Sequence, residues 1–175
     1  MSALPVGPSR ERVPRPQALH GLFPVLVRWP RLLNLWPQFR LAGIRVRSMS
    51  PDRRAIVVQL RQRWWNTNNY GTIFGGSLYA LCDPFLVLLV MYHLGPDYRV
   101  WDKGADIRFV RPGRRRVQAR FAVTGDQIAE IRSRADRDGA AEVRLPGTVL
   151  DGGGNVVVDV TKIVYVRRRT APPPR

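Results

Sequence analysis

The chain has 175 residues, 45% of them hydrophobic, and 29 Lys and Arg stand against 13 Asp and Glu for a formal charge of +16. That length fits one domain with a sizeable core, and that composition excludes a disordered chain. One cysteine excludes an intrachain disulfide, and one cysteine with two histidines does not make a zinc set. Only Lys103 and Lys162 are lysines, so 29 − 2 = 27 of the basic residues are arginine. Such a surface attracts anions, whether nucleotide phosphates, acidic lipids or nucleic acid.

Along the chain, residues 1–17 hold Pro5, Pro8, Pro14 and Pro16 and read as a flexible leader. Residues 18–168 read as a single domain that opens with a helical flap, 18–40, broken by Pro24, Pro30 and Pro37. Trp29, Leu32, Leu33, Leu35 and Trp36 give the flap an apolar face, which either packs on the domain or meets lipid or an acyl chain. Strands are expected at 43–49 and 54–61, around a Ser-Pro-Asp turn. A loop rich in Trp, Asn and Thr follows, 64–72, and then one long apolar helix, 76–94, kinked at Pro84 and stopped by Gly95-Pro96. Further strands are expected at 105–111 and 116–124, a polar helix at 126–138, and a last hairpin, 142–151 with 155–168, about Gly152-Gly153-Gly154. The tail, 169–175, reads as disordered. No secretory signal is legible, and the apolar run 84–94 is about half the roughly 20 residues of a membrane span, so the chain is expected to be soluble and cytoplasmic.

Asp83 is the one formally charged residue between Ser77 and Pro96. A carboxylate inside an all-apolar helix costs several kcal/mol unless paired or protonated. Burial is expected to raise its pKa. Gly75 and Gly76 lie just ahead, at the start of the same helix, where free N–H groups and the dipole favour negative charge. An oxyanion site about two turns from a carboxylate is a minimal kit for acyl transfer to water. The alternative is a structural Asp, paired with an arginine or capping a backbone N–H. The order strand, strand, buried helix, four strands predicts an α+β protein, with a curved antiparallel sheet wrapped around one helix: the hotdog fold.

The segment Asn68 to Asp83, with Phe74-Gly75-Gly76 inside it, resembles the motif of hotdog acyl-CoA thioesterases of the phenylacetate-degradation type, as does the later Ile107 to Pro112. More closely, Trp65-Asn66, Phe74 to Leu78, Asp83-Pro84, Trp101-Asp102-Lys103 and Tyr165 to Arg168 resemble an uncharacterised bacterial hotdog family. The resemblance implies that Asp83 is the catalytic carboxylate, as general base or nucleophile, that Gly75 polarises the thioester carbonyl with Gly76 beside it, and that Asn68 is a polar site residue. It also implies a homodimer or dimer of dimers. Phe74 stands where those thioesterases have His, and Pro84 follows the Asp directly.

Phe74, Tyr79, Phe85 and Trp65 are candidates to shape an acyl pocket. Arg111 and Arg114 are candidates for the phosphates of coenzyme A, because guanidinium matches phosphate oxygens. Asp102, Lys103 and Asp106 are candidates for supporting or cross-dimer contacts. No metal or cofactor is expected. No stripe of basic and aromatic residues suggests nucleic acid, and the basic surface leaves weak contact with acidic membranes as a further partner. The leading reading is hydrolysis of an acyl-CoA or acyl-carrier thioester. The second is a non-catalytic acyl-thioester or lipid binder, and the third a basic membrane- or nucleic-acid-associated protein.

Overall fold

The computed structural model describes residues 30–169. The leader 1–17, the first part of the flap and the tail from 170 lie outside them. What is described of the flap is a 3-10 helix, Pro30–Leu35, and helix α1, Pro37–Ala42. Gly43 ends α1 at φ 80, and a Cβ there would stand 2.6 Å from the Arg61 carbonyl oxygen. Both facts require glycine.

Six strands follow: β1 (Ile44–Met49), β2 (Ala55–Arg61), β3 (Tyr98–Phe109), β4 (Arg116–Ala122), β5 (Ala140–Asp151) and β6 (Val156–Arg168). They form one sheet in the order β1-β2-β4-β5-β6-β3, and every neighbouring pair is antiparallel. Alternation puts Ile56, Val58 and Leu60 of β2, Val117, Ala119 and Phe121 of β4, and Val158, Val160, Val164 and Val166 of β6 into the core. The free edge of β1 is partly covered: the Asn34 side chain accepts from Val46 N–H at 2.7 Å and donates to its carbonyl at 3.1 Å. In effect one amide side chain supplies a strand's worth of pairing at that point.

The sheet wraps the apolar stretch from Gly75 to Leu94. It is not one bent helix but two, α2 (Gly75–Cys82) and α3 (Phe85–Leu94). Pro84 has no N–H for the Ala80 carbonyl and its ring crowds that turn, so the ladder stops at Cys82 and restarts at Phe85. The Leu88 N–H then takes the Pro84 carbonyl at 2.9 Å. Both helices are apolar on nearly every side because both are core. Phe85 is fully buried between Phe39 and Phe121, with centroids at 5.5 and 6.0 Å, which makes it core packing and removes it from any pocket. The stretch is long and apolar enough to cross a membrane, yet here it is the fold's interior.

The polar helix α4 (Gly125–Asp138) runs from a reciprocal cap, Thr124 with Gln127, to the left-handed Gly139, with Ile128, Ile131 and Ala135 inward. The largest departure from expectation is β3, which begins at Tyr98 and not at residue 105. Its pairing with β6 slips between Asp102↔Val164 and Gly104↔Ile163, so Lys103 is an extra residue. Before this bulge Tyr98, Val100 and Asp102 face inward; after it Ala105 and Ile107 do. The changed parity hides the first half of the strand from an alternation reading.

Candidate active site

The break between α2 and α3 places Asp83 at the C-cap of α2 with φ −67 and ψ −62. It is not enclosed, contrary to expectation: its side chain is 50% exposed in the single chain, because the residue sits at a gap between helices and not within one. Its Oδ1 accepts from the Lys162 ammonium at 3.0 Å.

Lys162 is the residue the sequence reading missed. It lies on the apolar face of β6, between Val160 and Val164, and is 0% exposed. Its Nζ also contacts Asp102 Oδ2, and stands 5.3 Å from the centroid of the Tyr79 ring, a cation–π contact from α2. The β3 bulge turns Asp102 inward beside it. Asp102 Oδ1 is buried with no hydrogen-bond partner among the described residues. Two carboxylates thus bracket one buried ammonium.

The charges in this cluster shift one another. Burial pulls Lys162 down, but its bonds to Asp102 and Asp83 outweigh that and hold it above its ordinary value. For Asp102, burial raises the carboxyl; Lys162 opposes, Asp83 adds to the rise, and the result lies above the usual carboxylate range. Cys82, next to Asp83, is buried, and desolvation pushes its thiol up to about 12, which leaves it inert as a nucleophile at neutral pH.

At the other end of α2, Phe74 is the N-cap, half-open to solvent, and Ser77 and Leu78 N–H both take its carbonyl. Helix geometry leaves the N–H groups of Gly75 and Gly76 ahead of the first intrahelical bonds. A Cβ on Gly76 would meet the Phe74 ring at 2.3 Å, while one on Gly75 would lie 3.6 Å from Phe109. Gly76 is therefore what lets Phe74 fold over the helix start. Asn68 is occupied within its own loop: Nδ2 donates to Thr72 Oγ1 at 2.9 Å and Oδ1 accepts from the N–H groups of Tyr70 and Thr72 at 3.0 and 3.1 Å.

Arg111 and Arg114 are exposed on the β3–β4 connection, which meets the approach to α2 where Ile73 N–H donates to the Gly113 carbonyl at 2.9 Å. Arg114 also reaches the Gly71 carbonyl at 3.3 Å. The remaining candidates lie elsewhere: Lys103 pairs with Glu142 and Asp106 with Arg144, on the outer side of the sheet. Among the described residues no group of three or more His, Cys, Asp or Glu could hold a metal ion.

Similar architecture occurs in solved structures. A Pseudomonas aeruginosa protein, PA5026, described as of unknown function and a probable thioesterase, matches at 19% identity over 86% of this chain and 96% of its own, with a TM-score of 0.69. The Haemophilus influenzae thioesterase HI1161 matches at 13% identity, over 81% and 90%, with a TM-score of 0.60. The Escherichia coli PaaI protein, from the phenylacetic acid degradation operon, matches at 15%, over 82% and 94%, with a TM-score of 0.56. At these identities the likeness establishes the hotdog fold. No curated protein matches. Residues 30–166 match the family described as domain of unknown function DUF4442, and the chain belongs to that family.

Proposed function

We propose that the protein hydrolyses an acyl thioester, of coenzyme A or of an acyl carrier. The observation that carries this reading is the pairing of Asp83, at a helix break, with a glycine-led helix start one short helix away and a buried lysine beneath. In this mechanism the first-turn N–H groups of Gly75 and Gly76 hold the developing oxyanion. Lys162 keeps one Asp83 oxygen fixed, and the other either takes a proton from the attacking water or attacks the carbonyl itself, expelling the thiolate and leaving an anhydride that water then hydrolyses to the free acid and Asp83. In either route the water supplies the oxygen of the acid and the proton that the departing thiolate takes up.

Phe74, Tyr79 and Trp65 shape the acyl side. Arg111 and Arg114 hold nucleotide phosphates, and Asn68 acts by fixing the loop whose Gly71 carbonyl Arg114 reaches. The site is open in one chain: Asp83, Phe74 and Phe109 all keep solvent-exposed surface. A second copy, paired through the free edge of β3 in the cytoplasm, would close it.

The test is thiol release from acyl-CoAs of short, long and aromatic chain by wild type and Asp83→Asn. Turnover that the substitution lowers by roughly 10³-fold or more supports the mechanism; turnover that Asp83→Asn leaves intact sinks it. A second reading is favoured by one observation, that an ammonium already occupies Asp83 Oδ1. A base so neutralised suits an acyl-thioester binder, which would show saturable acyl-CoA affinity and no thiol release.

A further inference from the structure

A second surface lies at the β1 end of the sheet, at the opposite edge from β3. There Trp64 is 87% exposed and Leu41 69%, and Tyr70, 86% exposed, stands on the loop that leaves the Trp64 turn. Large apolar groups held this far into water on a rigid base call for a partner. The base is rigid because of the buried Asn66. Its Nδ2 donates to the Ala42 and Arg61 carbonyls at 3.0 Å each, and its Oδ1 accepts the Arg63 N–H at 2.6 Å. The Trp65 indole N–H adds a bond to the Leu41 carbonyl at 2.7 Å. The end of α1, the end of β2 and the Trp64 turn are thereby locked into one corner.

The same corner is cationic without compensation. Arg40, Arg61 and Arg63 are exposed, and none is ion-paired with a described residue. Arg61 stands directly across the β2–β4 ladder from Arg116, a like-charge pair that destabilises a sheet unless an anion sits over it. Between Glu11 and Asp83 the sequence has one acidic residue, Asp52. Exposed Trp and Tyr beside a field of arginine is the arrangement that sits at a lipid headgroup boundary: the rings enter the interface while guanidinium groups meet phosphates. A second copy of this face is a poor occupant, because a two-fold contact would set arginine against arginine.

We propose that the corner made by Leu41, Trp64 and Tyr70 with Arg40, Arg61 and Arg63 docks the protein on an anionic lipid surface. Docking leaves β3 free for pairing, and it does not depend on the thioesterase reading. It would bring the site to where long acyl chains concentrate.

The test is co-sedimentation with vesicles of phosphatidylcholine alone and of equimolar phosphatidylcholine and phosphatidylserine. Wild type should pellet with the second and not the first. Trp64→Ser with Tyr70→Ser, both exposed and outside the proposed catalytic and substrate-binding groups, should weaken binding on the order of tenfold, with melting temperature and turnover of soluble acyl-CoA unchanged. Arg40→Gln and Arg63→Gln should each weaken it by about fivefold. No pelleting with either vesicle overturns the proposal. So does binding that survives loss of both rings, which would be charge attraction alone. So does conversion of an oligomer to a monomer by the ring substitutions, which would make the corner a contact between copies.

Discussion

Lys162 shows how much one side chain can settle in this protein. In a chain with 27 arginines against two lysines, a lysine persists at the one strand position, among the described residues, that is fully buried and charged. The slot between Asp83, Asp102 and Tyr79 takes a compact ammonium, and a planar guanidinium is larger and differently shaped. Removing the cation leaves Asp102 buried and uncompensated. Lys162→Met should therefore cost about 3 kcal/mol, the low end for a broken buried pair because the Asp83 side is open. Adding Asp102→Asn should restore part of it, and Lys162→Arg should be overpacked and not rescue. Chemical denaturation checks all three; a Lys162→Met protein as stable as wild type would remove the ion cluster from the account. Because the folded pKa is raised, the stabilisation is full below the ordinary lysine value of 10.5 and is lost as pH climbs through the raised one. The lysine was legible in principle: Val158, Val160, Val164 and Val166 alternate around it, so the period puts a charge in an apolar slot. Asp83 was legible from its isolation, but its pairing was not, because residues 79 apart in sequence meet only through the fold.

At the scale of elements, reading succeeded where a single period held and failed where the period changed. β4 and α4 follow one period from end to end, and they and β2 begin within a residue of expectation. β3 does not, because the bulge at Lys103 swaps which parity faces inward and so brings Asp102 to Lys162. A strand with such a bulge tolerates change unevenly. Gly104, beside the bulge, has its nearest prospective Cβ contact 3.9 Å away, at Ile163 Cδ1. Gly147 of β5 is the opposite: a Cβ there would stand 2.6 Å from the Phe121 ring, which is itself stacked on Phe85. Gly147→Ala should cost about 1–3 kcal/mol by overpacking, and Gly104→Ala less than about 1. Urea midpoints compare them, and equal midpoints would mean that the Phe121 ring has room the geometry denies it. Deleting Lys103 would join the two halves of β3 in one regular ladder, and either Tyr98 to Asp102 or Ala105 to Phe109 would then turn its inner face to solvent.

For the whole molecule, the central expectation is a dimer through β3, whose outer edge is unpaired in one chain and carries the exposed Trp101 and Phe109. Sedimentation at micromolar concentration should give twice the chain mass, and a monomer would leave the proposed site open to water. The sequence carried the architecture because one apolar helix and short connections between late strands admit few other solutions; it did not carry the assembly, since nothing along one chain marks which edge finds a partner. The sheet order has a further consequence, in the physics of encounter. β1, β2 and β4 hold five arginines and no acid, while β5, β6 and β3 carry Asp102, Asp106, Glu142, Asp151 and Asp159 among their basic residues. The sheet is thus uneven in charge as well as basic, with its acid-free half at the β1 edge. Near any negative surface the protomer experiences a torque before it makes contact, so it arrives with its β1 edge turned forward. Its association rate, more than its dissociation rate, should then fall as ionic strength rises.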